Sequence, residues 1–308
     1  MKYIEFYEDS SGRKWYHKSV LELIKQYSLK EDPENIIRKR AINLVNEGLQ
    51  YGWSGPPFDP KILASLKGIK VEKGPPTFKE EAMIFPRGDQ QLIILYNPFS
   101  PPTRINFSIC HELTHTLFPN YYETIKLRSK KRQKFDPNKE IEYLCDIGAS
   151  EILMPAEFFK KDLKKYGLSL YSVEPLRQIY LASYEAVIRR MIDLADINCA
   201  AVFFEFKLKP KEINSAKQIT FDFFESPKPK MRVSYAITSK NFPFFIPKDK
   251  SAPDNSCIYK AVITQSIESD IEKWEIKNFG FCRIEAMPIP PNLPQSPKRI
   301  VALVFPLN

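Results

Sequence analysis

The sequence is poor in histidine and contains no long apolar run. Among its 308 residues there are only three histidines. No segment approaches the ~20 consecutive apolar residues that a membrane-spanning helix needs, and the first residues lack the apolar region of a signal peptide. The five cysteines are scattered, odd in number and without a C-x-x-C pair, which argues against a disulfide framework. We therefore expect a reduced, cytoplasmic protein with buried thiols and no membrane partner.

Two of these three histidines lie in one pentapeptide, His-Glu-Leu-Thr-His, at residues 111–115. On a helix, imidazoles at i and i+4 share one face. Two such imidazoles with a carboxylate between them are what a hydrolytic zinc site requires. In a chain with so few histidines, the match is expected by chance on the order of a few times per thousand sequences. Two unrelated histidines on an amphipathic helix are therefore the weaker interpretation.

The residues around the pentapeptide continue a helical pattern. One face of that helix carries mainly apolar side chains together with both histidines: Phe107, His111, Thr114, His115 and Phe118. A buried pair of imidazoles is costly without a partner, and a divalent metal removes that cost. The pattern therefore favours metal binding.

A catalytic zinc has three protein ligands and an open position for water. The third ligand is expected on the helical stretch 140–155, where Glu142 and Asp146 fall on an otherwise apolar face. The spacing suits Glu142 as ligand, with Asp146 hydrogen-bonding a ligating histidine. Glu140 is the alternative ligand, and Glu151 falls on the opposite face and is predicted to be exposed. Acids that merely decorate a helix N-terminus are the competing explanation.

Two motifs can be written from these segments: Arg-x-x-Phe-Ser-x-x-His-Glu-x-x-His, from Arg104 to His115, and Glu-x-x-x-Asp-x-x-Ala-x-x-x-Leu-Met-Pro, from Glu142 to Pro155. Together they resemble the ImmA/IrrE family of zinc metallopeptidases. Four positions depart from the family pattern: Thr114 replaces a glycine, Leu144 a glutamate, Cys145 an alanine and Ile147 a phenylalanine. Cys110 and Cys145 adjoin the predicted site, where packing is favoured over metal ligation.

The resemblance implies a thermolysin-like site. His111, His115 and Glu142 would hold zinc, Glu112 would act as general base, and Asp146 would fix the tautomer of one histidine. Manganese or iron would also suit two histidines and a carboxylate. No residue is assigned to the oxyanion.

The implied function is a zinc-dependent endopeptidase with a narrow protein substrate. That substrate would be a helix-turn-helix transcriptional repressor, cleaved in a stress or mobile-element response. The alternative is a transcriptional regulator that binds DNA or a partner protein and has a structural or vestigial metal site. A zinc hydrolase that acts on another kind of bond also remains open.

The order of patterns predicts an α+β protein in three parts. Residues 1–155 would form a helix-rich zinc-peptidase domain, 156–197 a helical hairpin that resembles a helix-turn-helix, and 198–308 a strand-rich α+β domain. The hairpin is expected to brace the catalytic unit rather than to contact DNA. The last part is similar to the GAF-like part of the IrrE branch, which would imply a ligand sensor.

Two further features bear on partners. The strand predicted at residues 91–96 would be a sheet edge along which an extended peptide could pair. The basic run at residues 126–134 contains six Lys and Arg side chains. Such a run is either a solvated loop or a docking surface for an acidic substrate or nucleic acid.

Overall fold

The computed structural model describes residues 6–88, 91–130, 139–212, 228–276, 279–290 and 299–307. The chain divides into two compact units, Met1–Lys161 with Arg177–Ser183, and Asp162–Leu176 with Tyr184–Asn308. Residues 156–197, predicted as a separate helical segment, contribute to both units. Among the described residues, no helix has the length and apolar character needed to cross a membrane.

The first unit combines helices with two small sheets. Its elements are β1 (Tyr7–Glu8), β2 (Lys14–Trp15), α1 (Lys18–Gln26), α2 (Pro33–Gln50), α3 (Pro60–Leu66), β3 (Lys70–Lys73), β4 (Ala82–Arg87), β5 (Gln91–Tyr96), α4 (Pro102–His115), α5 (Tyr121–Lys130) and α6 (Lys139–Leu153). Local chemistry sets several boundaries. Proline occupies the first turns of α2, α3 and α4, where its missing N–H costs nothing. The Asp59 carboxylate caps α3 by accepting the Lys61 N–H at 2.9 Å.

The prediction that strand 91–96 is a sheet edge is wrong. The three-stranded sheet has the order β3-β5-β4, with β3 parallel and β4 antiparallel to β5. Strand β5 is therefore paired on both sides, as its nearly continuous buried run Leu92–Ile94 indicates.

The expectation that Glu151 is exposed is also wrong, since only 1% of its surface is accessible. Its carboxylate pairs with the guanidinium of Arg38 at 3.3 Å and accepts the Ala156 N–H at 2.8 Å. Ala156 begins α7 (Ala156–Tyr166), so the buried charge is balanced by an arginine and a helix N-terminus.

The second unit is built on one antiparallel sheet of five strands. Its elements, after part of α7, are a 3₁₀ turn (Leu170–Ser172), α8 (Val173–Tyr180), which it shares with the first unit, α9 (Tyr184–Asp193), β6 (Ala200–Lys207), β7 (Lys230–Thr238), α10 (Cys257–Thr264), β8 (Glu268–Lys273), β9 (Phe281–Ile289) and β10 (Arg299–Leu307). The strand order is β7-β6-β10-β9-β8. The sequence pattern of residues 263–277 fits either a helix or a strand, and this stretch contains the end of α10 and all of β8. The pattern also predicts a strand at residues 219–224, which lie outside the described residues. The GAF-like character of this unit stays a prediction.

Helix α9, the second helix of the predicted hairpin, packs within the second unit. Its Glu185 accepts a hydrogen bond from the Tyr235 hydroxyl at 2.6 Å and pairs with Arg299 at 3.3 Å. Arg190 is fully buried and pairs with Asp193 at 2.7 Å. Glu185 therefore links this helix to strands β7 and β10 of the sheet.

Candidate metal centre

Two faces of helix α4 make contacts at the site, one with helix α6 and one with strand β4. His111 and His115 project from the face that packs on α6, with ring centroids 5.2 Å apart. The other face, which repeats every four residues, contacts the β4 end of the small sheet through Arg104, Ser108 and Glu112. The spacing of the motif from Arg104 to His115 is therefore explained by contacts on two sides of helix α4.

The Nε2 atoms of both histidines face the carboxylate of Glu142. The Oε2 atom of Glu142 lies 3.0 Å from His111 Nε2, and its Oε1 atom lies 3.8 Å from His115 Nε2. Glu142 is one turn inside α6, the helix that crosses α4. Two ring nitrogens and a carboxylate thus converge from two rigid elements.

The same turn of α6 supplies partners for the Nδ1 atoms. His111 Nδ1 lies 2.9 Å from Asp146 Oδ1, and His115 Nδ1 lies 3.4 Å from Cys145 Sγ. Groups that hold Nδ1–H leave the Nε2 lone pair available to a metal. One helical turn therefore contacts all four ring nitrogens.

The electrostatics of this cluster favour a cation. Burial by itself would lower the pKa of His111, but its hydrogen bonds to Asp146 and Glu142, with the charge of Glu112, raise that pKa to about 10. Carboxylates that hold a proton this firmly on an imidazole also stabilise a divalent ion bound at the same place.

The donor set fits a metal ion in two ways that share the histidines. Ligand atoms of His111, His115 and Cys145 lie within 4.8 Å of one another, and Glu142 lies within 3.8 Å of both Nε2 atoms. The thiol contacts Nδ1 of His115, whereas Glu142 faces the Nε2 atoms. Because the two nitrogens of an imidazole diverge, a metal held by both Nε2 atoms has Glu142 and not Cys145 on its side.

Glu112, between the histidines, is directed at strand β4. It is 6% exposed, and its Oε2 atom accepts the Ile84 N–H at 3.0 Å. Nearby, Glu81 pairs with Arg104 at 3.0 Å and accepts the Ser108 hydroxyl at 3.3 Å. These contacts fix the strand edge beside the carboxylate.

Glu140 and Cys110, considered from the sequence, have other contacts, as do the third histidine, His17, and the nearby Tyr143. The Glu140 carboxylate accepts the N–H groups of Tyr16 and His17, at 2.8–3.0 Å, so it secures the segment before α1. His17 itself caps α1. The Tyr143 hydroxyl donates to Glu34 at 2.7 Å. Cys110 is fully buried, and burial raises the pKa of its thiol well above the ordinary value, as a packing role requires.

Sequence reasoning missed two functional contributions. The thiol of Cys145 contacts the imidazole of His115, whereas from the sequence this cysteine was considered only for packing or for metal ligation. The N–H of Ile84 contacts Glu112, but a backbone group leaves no signal in the sequence. The basic run cannot be placed, because residues 131–134 and the side chains of 126–130 lie outside the description.

A helix with the H-E-x-x-H pattern, crossed by a helix that supplies a facing carboxylate, is typical of metal-dependent peptidases. In agreement, residues 67–191 match the Peptidase_M78 family model, the IrrE N-terminal-like domain. The predicted resemblance is confirmed over this segment.

The fold of nearly the whole chain is similar to a solved structure, a Mycobacterium tuberculosis transcriptional regulator. The two share 12% sequence identity with a TM-score of 0.56, and the match covers 94% of this chain and 80% of that one. At this identity the likeness concerns the fold alone. No curated protein matches the chain.

Proposed function

We propose that the protein is a zinc-dependent endopeptidase with a narrow protein substrate. The observation that carries the proposal is the turn of α6 in which Glu142 faces both Nε2 atoms while Cys145 and Asp146 contact the Nδ1 atoms. A merely structural site needs ligands, but it does not need a buried carboxylate such as Glu112 beside them.

His111, His115 and Glu142 would hold the zinc, with Asp146 and Cys145 orienting the imidazoles. When bound, the zinc supplies Lewis-acid activation of a water molecule and of the scissile carbonyl. Glu112 then accepts a proton from the attacking water and donates it to the leaving amine. Its carboxylate is positioned for this by the Ile84 N–H and by its place between the two ligands on α4.

The substrate would bind as an extended strand along β4. The Ile84 N–H is donated to Glu112, so it points away from β5, and residues 82 and 86 share that orientation. The Ile84 N–H is used by Glu112 and Pro86 has no N–H, so a substrate strand on this edge would be limited to a short register around Ala82. A short docking edge suits a selective peptidase.

The substrate we favour is a helix-turn-helix transcriptional repressor, on the strength of the family resemblance. The second candidate, a regulator that acts by binding, is supported by the overall fold that the chain shares with a transcriptional regulator. The two differ in whether Glu112 is needed.

The test begins with metal content, measured by elemental mass spectrometry on wild type, Glu142→Gln, Glu112→Gln and Glu140→Gln. We expect about one zinc per chain in all but Glu142→Gln, which should lose most of it. Glu140→Gln is the matched control, because this acid lies on the same helix but contacts the backbone before α1. Retention of zinc by Glu142→Gln, with loss in Cys145→Ala, would reassign the third ligand to the thiol.

Peptide hydrolysis then separates the two functions. Wild type should cleave a few members of a proteome-derived peptide library, and Glu112→Gln should be slower by about 10²-fold to 10⁴-fold while it keeps zinc. A zinc-loaded wild type that cleaves nothing, or a Glu112→Gln variant with full activity, would contradict the peptidase and leave the binding regulator.

A further inference from the structure

The proposed ligand Glu142 lies close to a helix end. It is the fourth residue of α6, which begins at Lys139. The first N–H groups of a helix have no partners within the helix, and helix ends fray. A ligand at this position is held only as firmly as the first turn itself. The contacts that fix this turn therefore bear on how tightly the centre can hold a metal.

Two neighbours of Glu142 attach this turn to the N-terminal hairpin, which consists of β1 and β2. The Glu140 carboxylate accepts the backbone N–H groups of residues 16 and 17, directly after β2, at 2.8–3.0 Å. On the other side of Glu142 in sequence, the ring of Tyr143 contacts the guanidinium of Arg13. The hairpin thus holds α6 at positions that flank the ligand.

Arg13 joins the hairpin to α6 by stacking between two rings. Its guanidinium carbon lies 4.2 Å from the ring centroid of Trp15 and 3.9 Å from that of Tyr143. The Tyr143 hydroxyl donates to Glu34 of α2 at 2.7 Å, and the Glu34 carboxylate lies 3.9 Å from the guanidinium. Cation–π contacts of this kind are favourable, most of all where water is partly excluded. The guanidinium therefore links a ring of the hairpin to a ring of the helix that carries the ligand.

The hairpin is a firm support for this contact. A two-stranded hairpin is only marginally stable by itself, but the Asp9 carboxylate closes this one. It accepts the N–H groups of Ser11 and Arg13 at 2.9 and 3.0 Å and the indole N–H of Trp15 at 2.8 Å. Trp15 is fully buried. The ring on which Arg13 stacks is therefore fixed by a charged hydrogen bond and by burial.

We propose that Arg13 is a positioning residue for the metal centre. Stacked on Trp15 and Tyr143, it holds the first turn of α6 so that Glu142 stays directed at the histidines. This role rests on the proposed metal centre. It makes metal affinity depend on the N-terminal hairpin, although Arg13 contacts neither the metal nor the substrate.

The affinity of the full chain for zinc, measured by competition with a chromophoric chelator, tests the proposal. We expect Arg13→Ala to raise the dissociation constant by about tenfold, and Arg13→Lys, which keeps a cation near the rings, to recover most of this loss. A tenfold change leaves a tight site loaded, so zinc content alone would not reveal it. Lys14→Ala is the matched control and should keep wild-type affinity, because Lys14 lies on the same hairpin and contacts Glu8 and the Phe6 ring.

Two measurements distinguish positioning from a purely structural role. Loss of a structural contact lowers stability by the same amount with and without metal, whereas weaker zinc binding also reduces the stabilisation that zinc confers. Urea unfolding of Arg13→Ala should therefore show the larger loss of stability in the presence of zinc. In a double-mutant cycle of zinc affinity, Arg13→Ala/Tyr143→Leu should be little weaker than either single variant, since both remove one contact.

Three results would overturn the proposal while wild type still binds zinc. They are unchanged affinity in Arg13→Ala, equal losses of stability with and without zinc, and strictly additive effects in the cycle. None of them would affect the proposed peptidase. A wild type that takes up no zinc would instead overturn the proposed function, and the role of Arg13 with it.

Discussion

Gly148→Ala should disturb the metal centre without touching a proposed ligand. Gly148 lies on α6 where it crosses α4. A Cβ atom there would be 2.4 Å from Thr114 Cγ2, 2.8 Å from Thr114 Oγ1 and 3.1 Å from Ile37 Cγ2. Ordinary carbon contacts are about 3.5–4.0 Å, so the two helices would have to separate by about 1 Å to admit the methyl group.

The expected cost follows from two opposing terms. Overpacking a core contact costs about 1–3 kcal/mol, whereas alanine is favoured over glycine inside a helix by about 1 kcal/mol. We expect a net loss of about 1 kcal/mol in the free energy of unfolding. Zinc affinity should be more sensitive than stability, because metal–ligand distances tolerate changes of only about 0.2 Å and the proposed ligands lie on both helices. A fall in zinc affinity of about tenfold or more is expected.

Thr114→Ala provides the rescue, since it removes the two closest of the three atoms that the new methyl group would meet and leaves only Ile37 Cγ2 at 3.1 Å. Zinc affinity is measured by competition with a chromophoric chelator, and stability by urea unfolding of metal-free protein. In a double-mutant cycle, Thr114→Ala/Gly148→Ala should recover affinity and show a favourable coupling of about 1 kcal/mol. A single Gly148→Ala variant with wild-type affinity and stability, or strictly additive effects in the cycle, would refute the helix-spacing argument.

Two further outcomes follow from hydrogen bonds in the two units. Asp146→Ala should lower zinc affinity by about 10-fold to 100-fold. Cys145→Ala should lower it by less, because the thiol lies 3.4 Å from His115 Nδ1 and is a weaker partner than the carboxylate 2.9 Å from His111 Nδ1. Equal losses of affinity in competition titrations would contradict this ranking. In the second unit, burial works against a lowered pKa for Glu185, but its bonds to Tyr235 and Arg189 and the charge of Arg299 hold that pKa below the ordinary value of 4.5. This stabilisation is present above 4.5 and is lost as the pH falls through the folded-state pKa, so urea unfolding at stepped pH should find Glu185→Gln less sensitive to acid than wild type.

The parts of the site that a sequence can reveal are side chains at fixed helical spacing. His111, Glu112 and His115 follow from one pentapeptide, and the structure places Glu142 and Asp146 beside the histidines because their i, i+4 spacing selects one face of α6. Their roles as ligand and orienting group stay predictions. The pattern of residues 33–50, with apolar residues recurring at three and four and proline at the start, predicts a helix, and α2 has these bounds.

Other features depend on pairing between distant segments, which no single segment encodes. The position of β5 inside its sheet required β3, a short and largely polar strand that was not predicted. The burial of Glu151 required Arg38, more than a hundred residues away in sequence, to supply the opposite charge. In both cases the local pattern was read correctly but the partner could not be inferred from it.

The two faces of α4 make this stretch intolerant of a change in length. Contacts to β4 and to α6 are set by the rotation of the same helix, about 100° per residue. One residue inserted between Ser108 and His111 would turn the histidines away from Glu142 for as long as Arg104 and Ser108 keep Glu81. Substitutions here should be graded in effect, whereas single insertions or deletions should abolish the centre. In a scan of single-residue insertions, we therefore expect every insertion within α4 to abolish metal binding, and insertions to be tolerated again near Thr116, where the helix ends.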